Sequence, residues 1–545
     1  MGRNAPPPAR SAPPMPAALN SAGPLAWAKQ RAALAALILP AGLALLLYTT
    51  TAAPGLTWAH YGADGGDLLA AASVNGVPHP TGYPLYTLLL QGWLFLGGVF
   101  TTAAPARLGN LLSALCAAVS VGLTVAAAGR LLAPRPDRWL WAAAGGLAWA
   151  VTPLLWSQAV ITEVYALHTL LITLAGWAAL AQPIRRVTLA TALALGIAHH
   201  LTSLLFWPAL AYLLWTEPTG RAQGGWRVWG LLATAWLAGS LFYLRILWAA
   251  GADPPPPVNW GYADNLAGLW WLAGGAAYRA YFLDLGLGDL LGRVAAWARV
   301  ATTQYTPLGL AVALVGLADW DRRAPRLRTF SLLWLAPVSL YAIAYTTVDS
   351  FIYLLPVIWL AALWFANGLA IGVDWLQARA LSWAGRGVGG WGVSLVALLI
   401  LAAIGGLAVW RLPSISLHHD GEAETFLSAA AATFEPRSLV ISNGDAETFA
   451  LWYGVWGSKT LAAQVPELVL VNVSLYQFEW YHRLLGDLYP GLPGVGRPFD
   501  ELLAANRALR PIYTTEPLPE LADRWTPQGR FWRLTPLPQD QATEP

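Results

Sequence analysis

Long apolar runs, separated by short polar segments, occupy most of the chain up to about residue 410. Roughly 17–25 apolar residues suffice to span a bilayer as a helix. The pattern predicts about 11 transmembrane helices, and Val187–His200 and Ser203–Trp215 are short enough to form a tight hairpin of tilted helices. The candidate spans are Ala32–Thr50, Leu108–Leu131, Trp139–Trp156, Val164–Ala181, Val187–His200, Ser203–Trp215, Trp226–Ala249, Gln304–Trp320, Phe330–Thr347, Phe351–Ile371 and Trp391–Trp410.

Composition agrees with a polytopic α-helical membrane protein. Of the 545 residues, 57% are hydrophobic and only 11% are charged, whereas about a quarter of the residues in a soluble domain are charged. The net charge of +3 gives no indication of nucleic acid as a partner. Cys116 is the only cysteine, so an intramolecular disulfide is excluded. Residues 1–30, rich in proline and alanine, are predicted to be a disordered cytoplasmic N-terminus.

Arginine placement predicts the orientation, because basic residues concentrate in cytoplasmic loops. With the spans above, five arginine-bearing loops fall inside and the other loops outside. This holds only if Tyr83–Phe100 does not cross, so we expect that segment to be a re-entrant or surface-lying helix on the outer face. The lack of secretory disulfides favours a bacterial inner membrane. The arginines of the five inner loops are Arg130, Arg135, Arg138, Arg185, Arg186, Arg221, Arg227, Arg322, Arg323, Arg326, Arg328, Arg379 and Arg386.

These boundaries divide the chain into a membrane domain at 31–410, with an outer first loop at 51–107, and a C-terminal segment at 411–545. The C-terminal segment alternates short apolar runs with amphipathic ones, which is typical of a small α/β domain. We expect this domain on the outer, periplasmic face. Its predicted strands are Ser438–Ser442 and Leu468–Val473, and its predicted helices are Ala446–Val455 and Leu475–Leu485.

Carboxylates at the outer ends of membrane helices are the first candidates for chemistry, because acids are rare in such apolar chains. Asp64-Gly65-Gly66-Asp67 places two carboxylates in the first outer loop, where glycines let the backbone approach a ligand. Either acid could act as a general base, and a solvated turn is the alternative. Glu163 sits at the junction of two spans and is either a site residue or an ordinary helix-start glutamate.

Other polar residues fall on the same predicted face. His79 lies in a proline-fixed segment that ends at Pro84, and it could contact a phosphate or an acid. His199 and His200 lie at the hairpin turn, where hydrogen-bonded turn residues and a phosphate contact are the two interpretations. Neighbouring helical residues point apart, so a shared metal is disfavoured. Arg245 could bind a lipid-linked phosphate or extend to the interface. Asp349 could be a site acid or a turn residue.

Several motifs together resemble a known family. Asp64-Gly-Gly-Asp67, followed by His79-Pro-Thr-Gly-Tyr-Pro84-Leu-Tyr86, is similar to the signature of a polytopic family in the GT-C glycosyltransferase superfamily. That family includes the reticulum-resident protein O-mannosyltransferase acting on plexin-type receptor domains. The resemblance covers roughly residues 30–365. Its other motifs are Arg107-Leu-Gly-Asn110-Leu-Leu-Ser113, Trp156-Ser-Gln158, Glu163-Val-Tyr165, Gly196-Ile-Ala-His199-His200-Leu-Thr202, Asn259-Trp-Gly261 and Tyr345…Asp349…Tyr353-Leu-Leu-Pro356.

The resemblance implies transfer of a sugar, with mannose as the first candidate, from a polyprenyl-phosphate donor to a protein or glycan hydroxyl on the outer face, with inversion. It implies that Asp64 is the base, with Asp67 as its close rival and Glu163 as a second-loop acid orienting substrate or a metal. Asp67 stands where the family commonly has Glu, which favours Asp64. Arg245, His199 and His200 become candidates for the donor phosphate. The further substrate-binding candidates are His79, Tyr83, Tyr165, Asn259, Trp260 and Asp349.

No cofactor beyond this lipid-linked sugar is predicted, and a divalent metal stays open. The absence of GxxxxGK[ST], GxSxG, HExxH and CxxC motifs removes support for an ATP-driven pump, an α/β-hydrolase or a zinc protease. Two alternatives stay open. A transporter or flippase of a lipid-linked saccharide would concentrate ionisable groups at the bilayer midplane. A non-catalytic membrane scaffold would use the C-terminal domain for partners.

Overall fold

The computed structural model describes residues 24–217, 225–283, 285–384, 390–518 and 524–535. The predicted disorder of residues 1–23 lies outside these ranges. Helix α1 begins at Pro24, so the prediction of disorder up to residue 30 is wrong for its last part. The last membrane helix ends at Ile415, a few residues beyond the predicted boundary.

Most of the described chain is helical. The helices of the membrane part are α1 Pro24–Thr51, α2 Gly65–Ser73, α3 Pro84–Phe100, α4 Pro105–Leu131, α5 Arg138–Ala150, α6 Pro153–Ala159, α7 Tyr165–Ala179, α8 Arg186–His199, α9 Trp207–Thr216, α10 Trp226–Ser240, α11 Leu244–Ala250, α12 Leu266–Ala273, α13 Leu287–Arg323, α14 Pro325–Ala344, α15 Leu355–Ala384 and α16 Gly390–Ile415. Those of the C-terminal part are α17 Glu422–Thr433, α18 Asp445–Trp452, α19 Thr460–Gln464, α20 Glu479–Leu488 and α21 Phe499–Asn506.

Seven helices of the described chain are long and apolar enough to cross a membrane. The pair α5 and α6, bent by 66°, gives an eighth candidate. Three further predicted spans correspond to shorter apolar helices, namely α7, α8 and the segment Leu201–Thr216. A polytopic helical architecture is therefore confirmed, while the count of 11 stays a prediction. Helix α3 has 17 residues and an apolar exposed face, and its predicted surface-lying position also stays a prediction.

The centre of the bundle is the helix α15, which packs against α5 and α13. Helices α15 and α13 cross closely because a glycine on each helix faces the backbone of the other helix. A Cβ at Gly316 would lie 1.9 Å from the carbonyl oxygen of Trp364, and one at Gly368 would lie 1.9 Å from that of Val312. Small residues at helix crossings allow such approach in membrane proteins.

Two motif residues on α4 hold the end of helix α1. The guanidinium of Arg107 donates to the carbonyl oxygens of Thr49, Ala52 and Ala53 at 3.0–3.1 Å. The Asn110 amide donates to Ala53 and Gly55 at 2.9 Å. The last carbonyls of a helix have no partner within the helix, so these donors satisfy them and fix where the following loop begins.

The C-terminal part forms a five-stranded sheet flanked by helices. Strand β1 pairs in parallel with β2 and β3, and β5 pairs antiparallel with β3 and β4, giving the order β2-β1-β3-β5-β4. The predicted strands at 438–442 and 468–473 and the two predicted helices are present. The strands are β1 Leu439–Ser442, β2 Val469–Asn472, β3 Ile512–Thr514, β4 Trp525–Gln528 and β5 Phe531–Leu534.

This domain packs on the loops of the membrane part. A Cβ at Gly66 would lie 2.4 Å from the carbonyl oxygen of Phe449, so α2 and α18 touch through backbone. The Tyr262 hydroxyl donates to Asp487 at 2.7 Å. Arg483 pairs with Asp264 at 2.9 Å. The close contact requires glycine at position 66.

We predict that Gly316→Ala destabilises the protein by about 1–3 kcal/mol, because overpacking forces the two central helices apart. Thermal unfolding in detergent, followed by size-exclusion chromatography, measures the effect. Gly292→Ala on the same helix is the control, because no atom lies within 4 Å of its added Cβ. Equal melting temperatures for the two variants would contradict the close crossing.

Candidate functional site

Two aspartates at the start of α2 have different environments. Asp64 ends a short 3-10 helix, Ala59–Asp64, and its side chain is 38% exposed. Asp67 lies in the first turn of α2 and is fully buried. One oxygen of Asp67 accepts from the backbone N–H of His79 at 2.9 Å and from its Nδ1 at 2.7 Å. The other oxygen accepts from the indole of Trp260 at 3.1 Å.

His79 joins the two carboxylates. Its Nδ1 faces Asp67, and its Nε2 lies 3.4 Å from the carboxylate of Asp64. An imidazole with a carboxylate at each nitrogen favours the doubly protonated ring. Burial opposes the charge, but the two aspartates outweigh it and raise the pKa of His79 to about 10. Burial raises the pKa of Asp64 to about 6 despite the opposing charge of His79.

The glycines between the aspartates do not face a ligand, contrary to the expectation from sequence. A Cβ at Gly65 would lie 2.9 Å from the carbonyl oxygen of Thr162, and Gly66 faces Phe449. These glycines instead allow two other segments to pack against the start of α2. That packing fixes Asp64 and Asp67 in place.

A cavity of about 830 Å³ opens beside Asp64. Asp64, His79, Tyr83, Tyr165, His200 and Asp349, all predicted from the sequence, line it. Helix α3 begins at Pro84, as the proline-fixed segment predicted, so Tyr83 ends that segment at the cavity wall. The other polar and aromatic lining residues are Tyr61, Thr81, Thr202, Tyr278, Arg279, Tyr281, Phe282, Tyr341, Tyr345, Thr346, Thr347, Tyr353 and Asp445.

Two further acids, Asp349 and Glu163, lie near this cavity, and only the first of them faces it. Asp349 faces the cavity and accepts from the Tyr165 hydroxyl at 3.4 Å. Glu163 is buried behind the wall, where one oxygen accepts from the N–H of Val164 at 3.0 Å and the other has no partner among the described residues. Burial raises the pKa of Glu163 well above its ordinary value.

His199 and His200 have separate roles. His199 Nε2 lies 2.9 Å from the carbonyl oxygen of Val164 and supports that loop, outside the cavity. His200 lines the cavity, and its Nδ1 accepts from the Thr202 N–H at 3.3 Å. In the neutral ring, Nε2 then carries the proton. That buried Nε2 has no partner within the described chain. A third imidazole, that of His168, was not predicted as a site residue. Its ring centroid lies 5.0 Å from that of His200, with the two rings tilted.

Three predicted substrate contacts do not line the cavity. Arg245 donates to the carbonyl oxygen of Gly76 at 2.9 Å and to Asn75 at 3.0 Å, so its charge holds the loop after α2. The Asn259 amide donates to the carbonyl oxygen of Ala250 at 3.1 Å. Trp260 supports Asp67. Arg245 Nε and Asn259 Oδ1 are buried without a hydrogen-bond partner among the described residues. Direct contact of these three residues with substrate stays a prediction.

Arg279 and Asp445 line the cavity but were not among the predicted site residues. Arg279 is exposed and forms no ion pair with any residue of the described chain. It lies in the loop between α12 and α13, which the predicted spans place on the outer face. Asp445 begins α18 in the C-terminal domain, and no local pattern connects it with the first loop.

The geometry gives no support to the possible divalent metal. Within the described ranges, no three His, Cys, Asp or Glu side chains lie close enough together to hold an ion. His79 is directed at both aspartates, with one ring nitrogen 2.7 Å from Asp67 and the other 3.4 Å from Asp64.

Solved structures with the same fold are all distant in sequence. ArnT from Cupriavidus metallidurans bound to undecaprenyl phosphate has a TM-score of 0.53 at 14% identity, over 92% of this chain and 98% of that one. Its apo form has a TM-score of 0.57 at 13% identity, with the same coverage. The archaeal oligosaccharyltransferase AglB from Archaeoglobus fulgidus was solved in complex with an inhibitory peptide and a dolichol-phosphate. It has a TM-score of 0.51 at 12% identity, over 90% of this chain and 70% of that one.

The chain therefore shares the fold of ArnT and AglB, and seven helices of its described part could cross a membrane. Residues 64–222 match the family described as "Protein O-mannosyl-transferase TMEM260 N-terminal domain". This match covers less than half of the chain and lies within the region where the motifs resemble that family, so the resemblance is confirmed there. No curated protein matches the sequence.

We predict that Trp260→Phe costs about 1.5–3 kcal/mol, because it removes a hydrogen bond to the buried carboxylate of Asp67 while keeping an aromatic ring. Thermal unfolding in detergent measures the loss. Trp270→Phe is the matched control, since that ring is 72% exposed. A Trp260→Phe variant as stable as the control would show that Asp67 does not depend on the indole.

Proposed function

We propose that the protein transfers a sugar from a polyprenyl-phosphate donor to an acceptor hydroxyl on the outer face of a bacterial inner membrane, with Asp64 as the base. The observation that carries this proposal is the convergence of Asp64, His79 and Tyr83, from two separated motif segments, on one large cavity. The GT-C fold and the family match support the class of reaction.

The geometry favours Asp64 over Asp67. A general base must reach the proton that it removes. Both oxygens of Asp67 accept protein hydrogen bonds, and the residue is fully buried. The carboxylate of Asp64 is open to the cavity. Asp67 then acts by holding His79, which in turn orients Asp64.

The chemistry needs few groups. Asp64 takes the proton of the acceptor hydroxyl while the oxygen of that hydroxyl attacks the anomeric carbon of the donor sugar. The bond from that carbon to the phosphate oxygen breaks, and polyprenyl phosphate leaves. Attack opposite the leaving group inverts the configuration. The acid of Glu163, buried close to Asp64 and His79, contributes to the electrostatics of the site without touching substrate.

The donor is proposed to lie along the part of the cavity that combines cationic and apolar groups. Arg279 and the free Nε2–H of His200 are suited to a phosphate. Leu201, Leu204 and Leu205 offer an apolar wall nearby. The neighbours named above were solved with undecaprenyl phosphate and dolichol-phosphate, which supports a lipid-linked donor. The family description supports mannose as the sugar and a protein hydroxyl as the acceptor.

We predict that Asp64→Asn lowers transfer about 100- to 10,000-fold, because the amide cannot take the proton. The assay uses purified protein, radiolabelled polyprenyl-phosphate mannose and a serine/threonine peptide. Asp253→Asn, on an exposed loop, is the control and should be unaffected. Full activity of Asp64→Asn would assign the base elsewhere.

We also predict that the transfer rate rises with pH through about 6, the pKa of Asp64. Below that pH the carboxyl group is protonated and cannot accept a proton, so the rate should fall about tenfold for each further pH unit. Above it the rate should level off, because His79 stays charged up to about pH 10. A rate that is flat between pH 4.5 and 7 would exclude Asp64 in this role.

A further inference from the structure

The C-terminal domain reaches the cavity through a single acidic side chain. Helix α18 begins at Asp445, directly after β1 and a short turn at Gly444. Asp445 lines the same cavity as Asp64 and His79, although it lies 378 positions after Asp67 in the chain. The domain is therefore part of the wall of the site.

Packing fixes the position of α18. The backbone of Phe449 touches α2 at Gly66, and its ring stacks 6.3 Å from His79. Trp452, one turn further on, packs edge-on against Trp260 at 6.2 Å. Phe449 and Trp452 lie on the same face of the helix, and both rings also contact Trp260, so this face holds the first turn of α18 beside the first loop.

The carboxylate of Asp445 is exposed to the cavity and forms no hydrogen bond or ion pair with the described residues. Its surroundings raise its pKa through burial, with Asp67 and Glu447 adding to the rise and His79 opposing it. Asp445 in turn contributes to the raised pKa of Asp64. A polar group that is held in place without a partner is available to a substrate.

Ring contacts give the order of groups along the cavity. His79 lies near Asp445, Tyr83 lies 5.2 Å from His79, and His200 lies 5.6 Å from Tyr83. The series ends at His200, and Leu201, which follows it directly in sequence, lines the same cavity together with Leu204 and Leu205. An amphiphilic donor would place its lipid at that far end, so the end at Asp445 is left for the molecule that Asp64 deprotonates.

We propose that Asp445 binds the acceptor, accepting a hydrogen bond from an N–H or O–H group next to the hydroxyl that receives the sugar. This inference rests on the proposed function. It assigns a direct substrate contact to the C-terminal domain and makes acceptor choice depend on it. The donor sugar and its lipid phosphate are not contacted by Asp445.

The test compares Asp445→Ala and Asp445→Asn with Glu447→Ala, which removes the same charge from the same helical turn without lining the cavity. Full-length protein, radiolabelled polyprenyl-phosphate mannose and a serine/threonine peptide give separate KM values for donor and acceptor. We expect Asp445→Ala to raise the peptide KM about tenfold or more, since one hydrogen bond to a charged group is lost. The donor KM should stay within about twofold, and Asp445→Asn should show a smaller rise in the peptide KM.

The remaining results overturn the inference in distinguishable ways. An unchanged peptide KM, or a rise confined to the donor KM, in a transferring enzyme refutes the role of Asp445 alone. An equal rise for Glu447→Ala would indicate a general charge effect rather than contact. Absence of transfer by the wild-type protein would refute the proposed function itself, and with it the acceptor role.

Discussion

The site depends on burial of the Asp67 carboxylate. A fully buried anion is costly unless it is paired and hydrogen-bonded. His79 and Trp260 supply its donors from two other segments of the chain. Satisfying this one charge therefore brings the first loop, the proline-fixed segment and the loop before α12 together. It also leaves the second nitrogen of His79 facing Asp64.

The same arrangement explains why the two aspartates were hard to distinguish from sequence. Spacing placed both in the first loop, and only the preference for Glu at position 67 in the family separated them. The difference arises from Trp260, almost 200 residues away. The surroundings of Arg245 were hidden for a similar reason, since a local pattern cannot reveal that its guanidinium donates to the backbone of Gly76.

Regular elements were easier to predict, because their signals are local. Continuous apolar runs identified β1 and β2, and the prolines around Tyr83 fixed the start of α3 at Pro84. Helices α8 and α9, on either side of His200, were also predicted from their apolar runs, although both are short. Asp445 could not be found in this way, since its place in the cavity depends on the packing of a separate domain through Gly66.

The central claim is that Asp64 deprotonates an acceptor that attacks a polyprenyl-phosphate sugar directly. The most direct measurement is the anomeric configuration of the sugar in the product formed by the purified protein from polyprenyl-phosphate mannose. A single displacement predicts configuration opposite to that of the donor, together with stoichiometric release of polyprenyl phosphate. A product with the configuration of the donor would require two displacements and would contradict this account.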